Sequence, residues 1–97
     1  MGYKLFWTEE AIQNLKNIIY YLTNEWTLRE VDNFKEKLSK QIDLIKKYPR
    51  MFPVSTVQPR LRKAVLSKQT SIFYEISDNE IYLTYIHVNH KNSERLK

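Results

Sequence analysis

The sequence predicts an α+β domain of order β-α-α-β-β-β, in which a helical hairpin packs on a small antiparallel sheet. Apolar residues recur at helical spacing through the first half of the chain, whereas from residue 61 to residue 88 they alternate with a period of two. A short apolar run precedes the first helical stripe. Because 97 residues suffice for one modest hydrophobic core, we expect residues 1–97 to form a single domain.

The first strand and the first helix are predicted near the start of the chain. Tyr3–Trp7 is an apolar run that suits a buried strand. Thr8 has the side chain of a helix N-cap, and the two glutamates after it favour the positive end of a helix dipole. The apolar stripe of this helix consists of Ile12, Leu15, Ile19, Leu22 and Trp26, and it is widened by Ala11, Ile18 and Tyr21.

A second helix is predicted after a short turn. Thr27 and Glu30 have the spacing of a capping box, which marks a new helix start. Pro49 ends the helix. Its apolar stripe consists of Val31, Phe34, Leu38, Ile42 and Ile45.

An irregular segment and three strands follow. Pro49, Pro53 and Pro59 bracket the segment, and we expect its apolar residues to tuck under the fold. These residues are Met51, Phe52, Val54 and Val57. The strands are predicted at Leu61–Leu66, Thr70–Ser77 and Ile81–Val88, with Asp78 and Asn79 in the last turn, and they form an antiparallel meander.

Positive charge is concentrated in the middle of the chain. Residues 44–74 carry seven lysines and arginines and no Asp or Glu, whereas the formal net charge of the whole chain is +5. Such a surface attracts nucleic acid or an acidic protein segment through long-range electrostatics. The alternative is a solvated charged face that only keeps the domain soluble.

Composition disfavours several classes of site. The chain has no cysteine, and Gly2 is its single glycine, so we expect neither thiolate chemistry nor a glycine-rich phosphate loop. We therefore expect no cofactor, and His87 with His90 makes a poor metal site without accompanying carboxylates. No leader or membrane-spanning run is visible, which predicts a cytoplasmic protein without membrane contact.

The second half of the chain contains a series of short motifs in a characteristic order. A Ser-Lys pair follows the first strand of the meander, a Thr-Ser-aliphatic-aromatic-Tyr strand comes next, and an acidic turn and an aliphatic strand lead to a polar tail. The motifs are Ser67-Lys68, Thr70-Ser71-Ile72-Phe73-Tyr74, Asp78-Asn79-Glu80, Ile81–Val88 and Asn89–Leu96.

With these motifs, and with Trp7-Thr8 and the Tyr48–Pro53 loop, nearly the whole chain resembles the RelE/ParE superfamily of toxins, in its plasmid-stabilisation branch. Members are ribosome-dependent mRNA endonucleases, DNA gyrase poisons, or proteins without established toxicity. The resemblance therefore implies the toxin of a type II toxin-antitoxin module. Our leading interpretation is an mRNA endonuclease that blocks translation on the ribosome; the alternatives are a gyrase poison without nuclease activity and a degenerate member that only binds its antitoxin.

The resemblance implies candidate site residues at the positions of this chain that match the family pattern. Arg62 matches approximately a basic residue of the endonucleases, and His90 or Lys91 stands where they carry an arginine after the last strand. Ser71 and His90 replace arginines of the family pattern, and neither copies the bidentate guanidinium. The candidate catalytic residues are Arg62, His90 and Lys91, with His90 as the acid, and the candidate RNA-binding residues are Arg60, Lys63 and Lys68.

Other polar residues of the strands have two interpretations. Tyr74, Tyr82 and Tyr85 suit cross-strand packing better than base stacking. Glu75 and Glu80 are candidates for a general base only if they face the basic residues. Strand alternation places Glu75 on the face of the sheet opposite to that of Tyr74.

The charge distribution also predicts the antitoxin. A cognate antitoxin is expected to carry an acidic, amphipathic C-terminal segment that folds on this domain and contacts residues 60–68.

Overall fold

The computed structural model describes residues 3–25 and 27–88 and confirms the predicted order of elements. Trp26 and the tail from residue 89 onward lie outside the described residues, so the predictions made for them are untested. The elements are β1 (Lys4–Trp7), α1 (Glu9–Glu25), α2 (Leu28–Lys47), β2 (Arg62–Val65), β3 (Thr70–Ser77) and β4 (Glu80–Val88).

The four strands form one mixed sheet in the order β1-β4-β3-β2. The predicted antiparallel meander of β2, β3 and β4 is confirmed. However, β1 pairs with β4 in parallel, so the sheet is not wholly antiparallel as the sequence predicted. Residue alternation is the same beside a parallel or an antiparallel neighbour, which is why the pattern did not reveal this pairing.

Both predicted helix caps are present. Thr8 Oγ1 accepts a hydrogen bond from the Ala11 amide at 3.1 Å, and Thr27 Oγ1 accepts one from the Glu30 amide at 3.3 Å. The Thr8 hydroxyl also lies 2.8 Å from the Leu83 carbonyl oxygen, to which it donates. The start of α1 is therefore fixed to the middle of β4.

The core lies between the helical hairpin and one face of the sheet. The stripe of α2 is confirmed, because Val31, Leu38 and Ile45 are buried. In α1 the prediction is confirmed in part: Ala11 is fully buried and Leu15 and Ile18 pack against the core, whereas Ile12 is 40% exposed. The buried core cluster consists of Ala11, Leu38, Ile45, Ala64, Ile72, Tyr74, Ile81, Leu83 and Ile86.

A β-bulge in β4 keeps both halves of that strand in register with the core. Phe73 pairs with Tyr85 but Tyr74 pairs with Leu83, so Thr84 is an extra residue. Strict alternation from Leu83 would have turned Ile86 toward solvent. Because of the bulge, Leu83 and Ile86 are both buried.

The loop between α2 and β2 is exposed, contrary to the sequence prediction. Phe52 packs edge-on against Tyr74, with ring centroids 6.2 Å apart, and this part of the prediction is confirmed. Met51, Val54 and Val57 are 56%, 45% and 84% exposed, and for them the prediction was wrong. Several carbonyl groups of the loop accept hydrogen bonds from β2 and β3, which fixes the path of its backbone along the sheet.

Two side chains from the sheet hold these carbonyl groups. The Tyr74 hydroxyl donates to the carbonyl oxygen of buried Pro49. Arg62 Nη1 donates to the carbonyl oxygens of Phe52 at 2.7 Å and Arg50 at 3.3 Å. Burial raises the pKa of Tyr74 to about 12, although the charge of Arg62 acts in the opposite direction. The phenol therefore stays neutral and remains a donor at physiological pH.

The core assignment predicts unequal costs for two leucine substitutions. Leu83→Ala should lower the free energy of unfolding by roughly 2–5 kcal/mol, because Leu83 is fully buried and its removal leaves a cavity. Leu28→Ala, at a side chain that is 75% exposed, should change it by less than about 0.5 kcal/mol. Urea denaturation measures both values, and equal costs would contradict the assignment.

The loop contacts predict a structural role for Arg62. Arg62→Met and Tyr74→Phe should each destabilise the protein by about 1–3 kcal/mol, because each leaves loop carbonyl groups without their donor. Both variants should also speed tryptic cleavage after Arg50. Lys63→Met, one residue along the same strand, is the matched control and should stay within about 0.5 kcal/mol of the unmutated protein. A wild-type melting temperature for Arg62→Met would refute this role.

Candidate functional site

The sheet has a second face that neither α1 nor α2, the two described helices, covers. Side chains that pair across neighbouring strands lie on the same face, so the register assigns each residue to the core or to the uncovered face. We call the uncovered side the open face and define it by two rows of residues. One row is Phe6, Tyr82 and Glu75, and the other is Tyr85, Phe73 and Lys63.

Aromatic rings lie in both rows of the open face. Phe6 stacks on Tyr82 with ring centroids 5.4 Å apart, and Phe73 stacks on Tyr85 at 4.6 Å. These contacts confirm the predicted cross-strand packing of Tyr82 and Tyr85, while Tyr74 packs in the core. Phe6 is 42% exposed, so part of this aromatic surface meets solvent.

A carboxylate ends the first row. Glu75 lies on the face opposite Tyr74, as alternation predicted, and its Oε1 is 4.0 Å from Arg60 Nε. Lys63 is a diagonal neighbour of Glu75 on the same face, because it pairs with Phe73 two residues earlier in β3. Glu75 therefore faces basic residues, which was the requirement for it to be a candidate general base.

The other glutamate of β4 is engaged differently. The Tyr82 hydroxyl donates to Glu80 Oε1, and this hydrogen bond is the main cause that raises the pKa of Tyr82. Burial and the charges of Glu80 and Glu75 act in the same direction. Tyr82 is consequently a neutral donor, and Glu80 is occupied as its acceptor.

The four candidate residues that the structure describes occupy different places. Arg60 and Lys63 lie beside Glu75, but Arg62 lies on the opposite side of the sheet with its guanidinium on the loop carbonyls. Lys68 is exposed in the β2–β3 turn, beyond Ser71, which is itself roughly 13 Å along β3 from Glu75. His90 and Lys91 lie outside the described residues. Of the four described candidates, the structure thus brings Arg60 and Lys63 together.

His87 extends the open face toward its other end. It pairs with Ser71 and its side chain is exposed. Its side chain is therefore not part of the buried core. In the described ranges, no cluster of three or more His, Cys, Asp or Glu residues is close enough to hold a metal ion.

A separate groove lies where the helical hairpin parts from the sheet. It encloses about 360 Å³, with Ile18, Leu22, Phe34 and Ile86 among its apolar lining residues. Asn14, Asn17, Asn33 and Gln69 contribute amides to the same lining. Phe34 is therefore partly buried against a groove and not enclosed in the core.

The open face has the chemical groups for binding and acid-base work on a polyanion. Arg60 and Lys63 supply positive charge, Glu75 supplies a base, and the exposed ring of Phe6 offers a stacking surface. Sequence alternation identified Glu75 as a candidate general base. The row of Phe6 and Tyr82 was missed because it depends on the parallel pairing of β1.

Neither described helix is long and apolar enough to cross a membrane.

Comparisons with known proteins give a consistent result. The family model of the ParE toxin of the type II toxin-antitoxin system parDE matches residues 5–94. No curated protein sequence matches the chain.

Several solved structures share the fold. The chromosomal ParDE system of P. aeruginosa contains a chain with a TM-score of 0.75 and 16% identity, covering 89% of this chain and 95% of that chain. The E. coli DinJ-YafQ toxin-antitoxin complex gives a TM-score of 0.64 at 9% identity, covering 94% and 97%. The RelBE2 toxin-antitoxin complex of Mycobacterium tuberculosis gives 0.56 at 11% identity, covering 91% and 99%.

The family match spans almost the whole chain, and the helical hairpin on a mixed four-stranded sheet agrees with all three structures. The chain therefore belongs to the ParE toxin family and is a type II toxin of the RelE/ParE superfamily.

Proposed function

We propose that this toxin is a metal-independent endoribonuclease that cuts mRNA on the ribosome and so blocks translation, and that a cognate antitoxin neutralises it in the cytoplasm. The solved ParDE, DinJ-YafQ and RelBE2 assemblies, which are toxin-antitoxin systems, support the antitoxin as a partner. The observation that carries the nuclease proposal is the position of Glu75, which lies 4.0 Å from Arg60 on an exposed face lined by stacked aromatic rings.

The proposed reaction starts at a ribose 2′-hydroxyl of the bound mRNA. Glu75 takes the 2′-hydroxyl proton, the 2′-oxygen attacks the adjacent phosphorus, and the bond from phosphorus to the 5′-oxygen breaks. The products are a 2′,3′-cyclic phosphate and a 5′-hydroxyl end, and the 5′-oxygen receives a proton from an acid. His90 is the proposed acid because the unperturbed pKa of histidine lies near neutral pH.

Basic residues stabilise the charge that develops on the phosphate. Arg60 and Lys63 flank Glu75 and are proposed to bind the phosphate oxygens of the scissile link. Lys91 is proposed to assist them from beyond β4, and Lys68, at the β2–β3 turn, to contact the RNA backbone farther from the reaction. Arg62 is proposed to act indirectly, by holding the α2–β2 loop through the Phe52 carbonyl.

Exposed rings on the open face give the mRNA a place to bind. A nucleotide base stacks on an aromatic ring with about 1–3 kcal/mol, independently of base identity. Phe6 and Tyr85 are proposed to provide such rings, since Phe6 is exposed and Tyr85 is half-buried, whereas Phe73 is buried beneath the stack. Their contribution is to position the RNA so that the reacting phosphate lies over Glu75.

The proposal predicts that Glu75→Gln slows mRNA cleavage by roughly a hundredfold or more, because an amide cannot accept the 2′-hydroxyl proton. Ribosome binding should change less than about threefold, since a base contributes little to docking. Single-turnover cleavage on programmed ribosomes measures the first quantity and a filter-binding assay at fixed salt measures the second. His90→Gln should give the same pattern, whereas Glu36→Gln, an exposed carboxylate on α2, should leave both unchanged.

Mapping of mRNA ends after induction of the unmutated toxin tests the function itself. Cuts within translated frames would support the endonuclease. Linearised DNA with an SOS response and intact mRNA would instead indicate a gyrase poison, and neither effect would indicate a protein that only binds its antitoxin. Full cleavage activity of Glu75→Gln at an unchanged melting temperature would exclude Glu75 as the base.

A further inference from the structure

The α2–β2 loop presents apolar side chains to solvent in a position where the sequence predicted burial. Tyr48, Met51, Val54 and Val57 are 58%, 56%, 45% and 84% exposed, and all four lie within ten consecutive residues. We call these four residues together with Arg50 the loop surface. Scattered apolar residues are ordinary on protein surfaces, but several on one loop mark an interaction site.

The loop is held in place before any partner binds. The Met51 amide donates to the Tyr48 carbonyl oxygen at 3.0 Å, and the Ser55 amide donates to the Leu61 carbonyl oxygen at 2.8 Å. Ser55 is buried, and its hydroxyl accepts hydrogen bonds from the amides of Val57 and Gln58, at 3.2 Å each. The side chains of Tyr74 and Arg62 also donate hydrogen bonds to the carbonyl groups of Pro49, Arg50 and Phe52. The loop surface is therefore preorganised, and binding of a partner costs little free energy for ordering the loop.

Electrostatics selects the kind of partner. No acidic residue occurs between Leu44 and Tyr74, and Lys46 and Lys47 precede the loop while Arg50 lies within it. A second copy of this chain would bring two basic loops together, which like-charge repulsion opposes. Nucleic acid satisfies the charges but exposes mainly phosphate and sugar, so it offers Met51, Val54 and Val57 less apolar surface than a protein segment does. A protein segment that combines acidic and apolar residues satisfies both.

We propose that the loop surface is a docking site for an acidic, apolar-containing segment of the antitoxin, adjacent to but distinct from the open face. The inference rests on the antitoxin partner of the proposed function and is independent of the nuclease chemistry. Met51 and Val57 would enter the apolar contact, and Arg50 would pair with a carboxylate of the segment. The earlier expectation placed the antitoxin at residues 60–68; the exposed apolar residues move the proposed contact to residues 48–57.

The test uses the toxin made by cell-free synthesis and a synthetic peptide that copies the acidic segment of the protein encoded beside this chain. Calorimetric titration measures the affinity. The double variant Met51→Ser, Val57→Ser should weaken binding at least tenfold, while Leu28→Ser, equally exposed at the start of α2, should weaken it less than twofold. Both variants should keep the wild-type melting temperature, because all three side chains are exposed.

A charge variant separates the electrostatic part. Arg50→Gln should weaken binding severalfold at 50 mM salt and reduce the dependence of affinity on salt up to 200 mM, whereas Lys16→Gln on α1 should do neither. Only the Arg50 side chain changes, so its carbonyl contact with Arg62 is kept. Polyglutamate, which offers charge alone, should bind more weakly and show no response to the Met51 and Val57 substitutions.

Four results would overturn the inference. Unchanged peptide affinity in the Met51 and Val57 variant would place the antitoxin elsewhere, and a loss of ribosome binding with unchanged peptide affinity would make the loop surface an RNA contact. A concentration-dependent dimer that the double variant abolishes would make it a contact between copies. If no complex forms at any salt concentration, the proposal of an antitoxin partner is refuted as well. The nuclease proposal is tested separately, by mRNA cleavage.

Discussion

Tyr74 is the residue on which the remaining structure depends. Its ring is fully buried between the sheet and the helices, and it pairs with Arg62 in β2 and Leu83 in β4. A buried phenol must hydrogen-bond, and the one acceptor that it uses, the Pro49 carbonyl, belongs to the loop that follows α2. A single side chain thus joins the core, the centre of the sheet and the connection between the helical and β halves of the chain.

The sheet separates two environments, and the bulge at Thr84 keeps them separate. On one side, Leu83 and Ile86 bury apolar surface against the helices. On the other, Tyr82 and Tyr85 stack on aromatic neighbours in a layer that solvent reaches. Because the second layer contributes stacking without full burial, it can stabilise the sheet and still be available to a ligand. Cross-strand packing of these tyrosines therefore does not by itself prevent them from contacting a ligand.

Basic residues that are neighbours in the sequence reach three different surroundings. Arg60 pairs with Glu75 near the open face, Arg62 binds loop carbonyls on the other side, and Lys63 returns to the open face. The positive middle third is therefore not one patch. Part of the charge is neutralised by Glu75, part is used to hold the loop, and part, at residues such as Arg50, stays beside exposed apolar side chains.

The sequence alone determined the order of elements, both helix caps, the buried stripe of α2 and the side of β3 on which Glu75 lies, because each follows from local periodicity or a local hydrogen bond. Only the tertiary structure decided the parallel pairing of β1, the bulge, the exposure of Met51, Val54 and Val57, and the position of Arg62. These features depend on contacts between residues distant in the chain. Where the Arg62 guanidinium binds depends on which carbonyl groups the folded loop brings within its reach, and no local pattern encodes that distance.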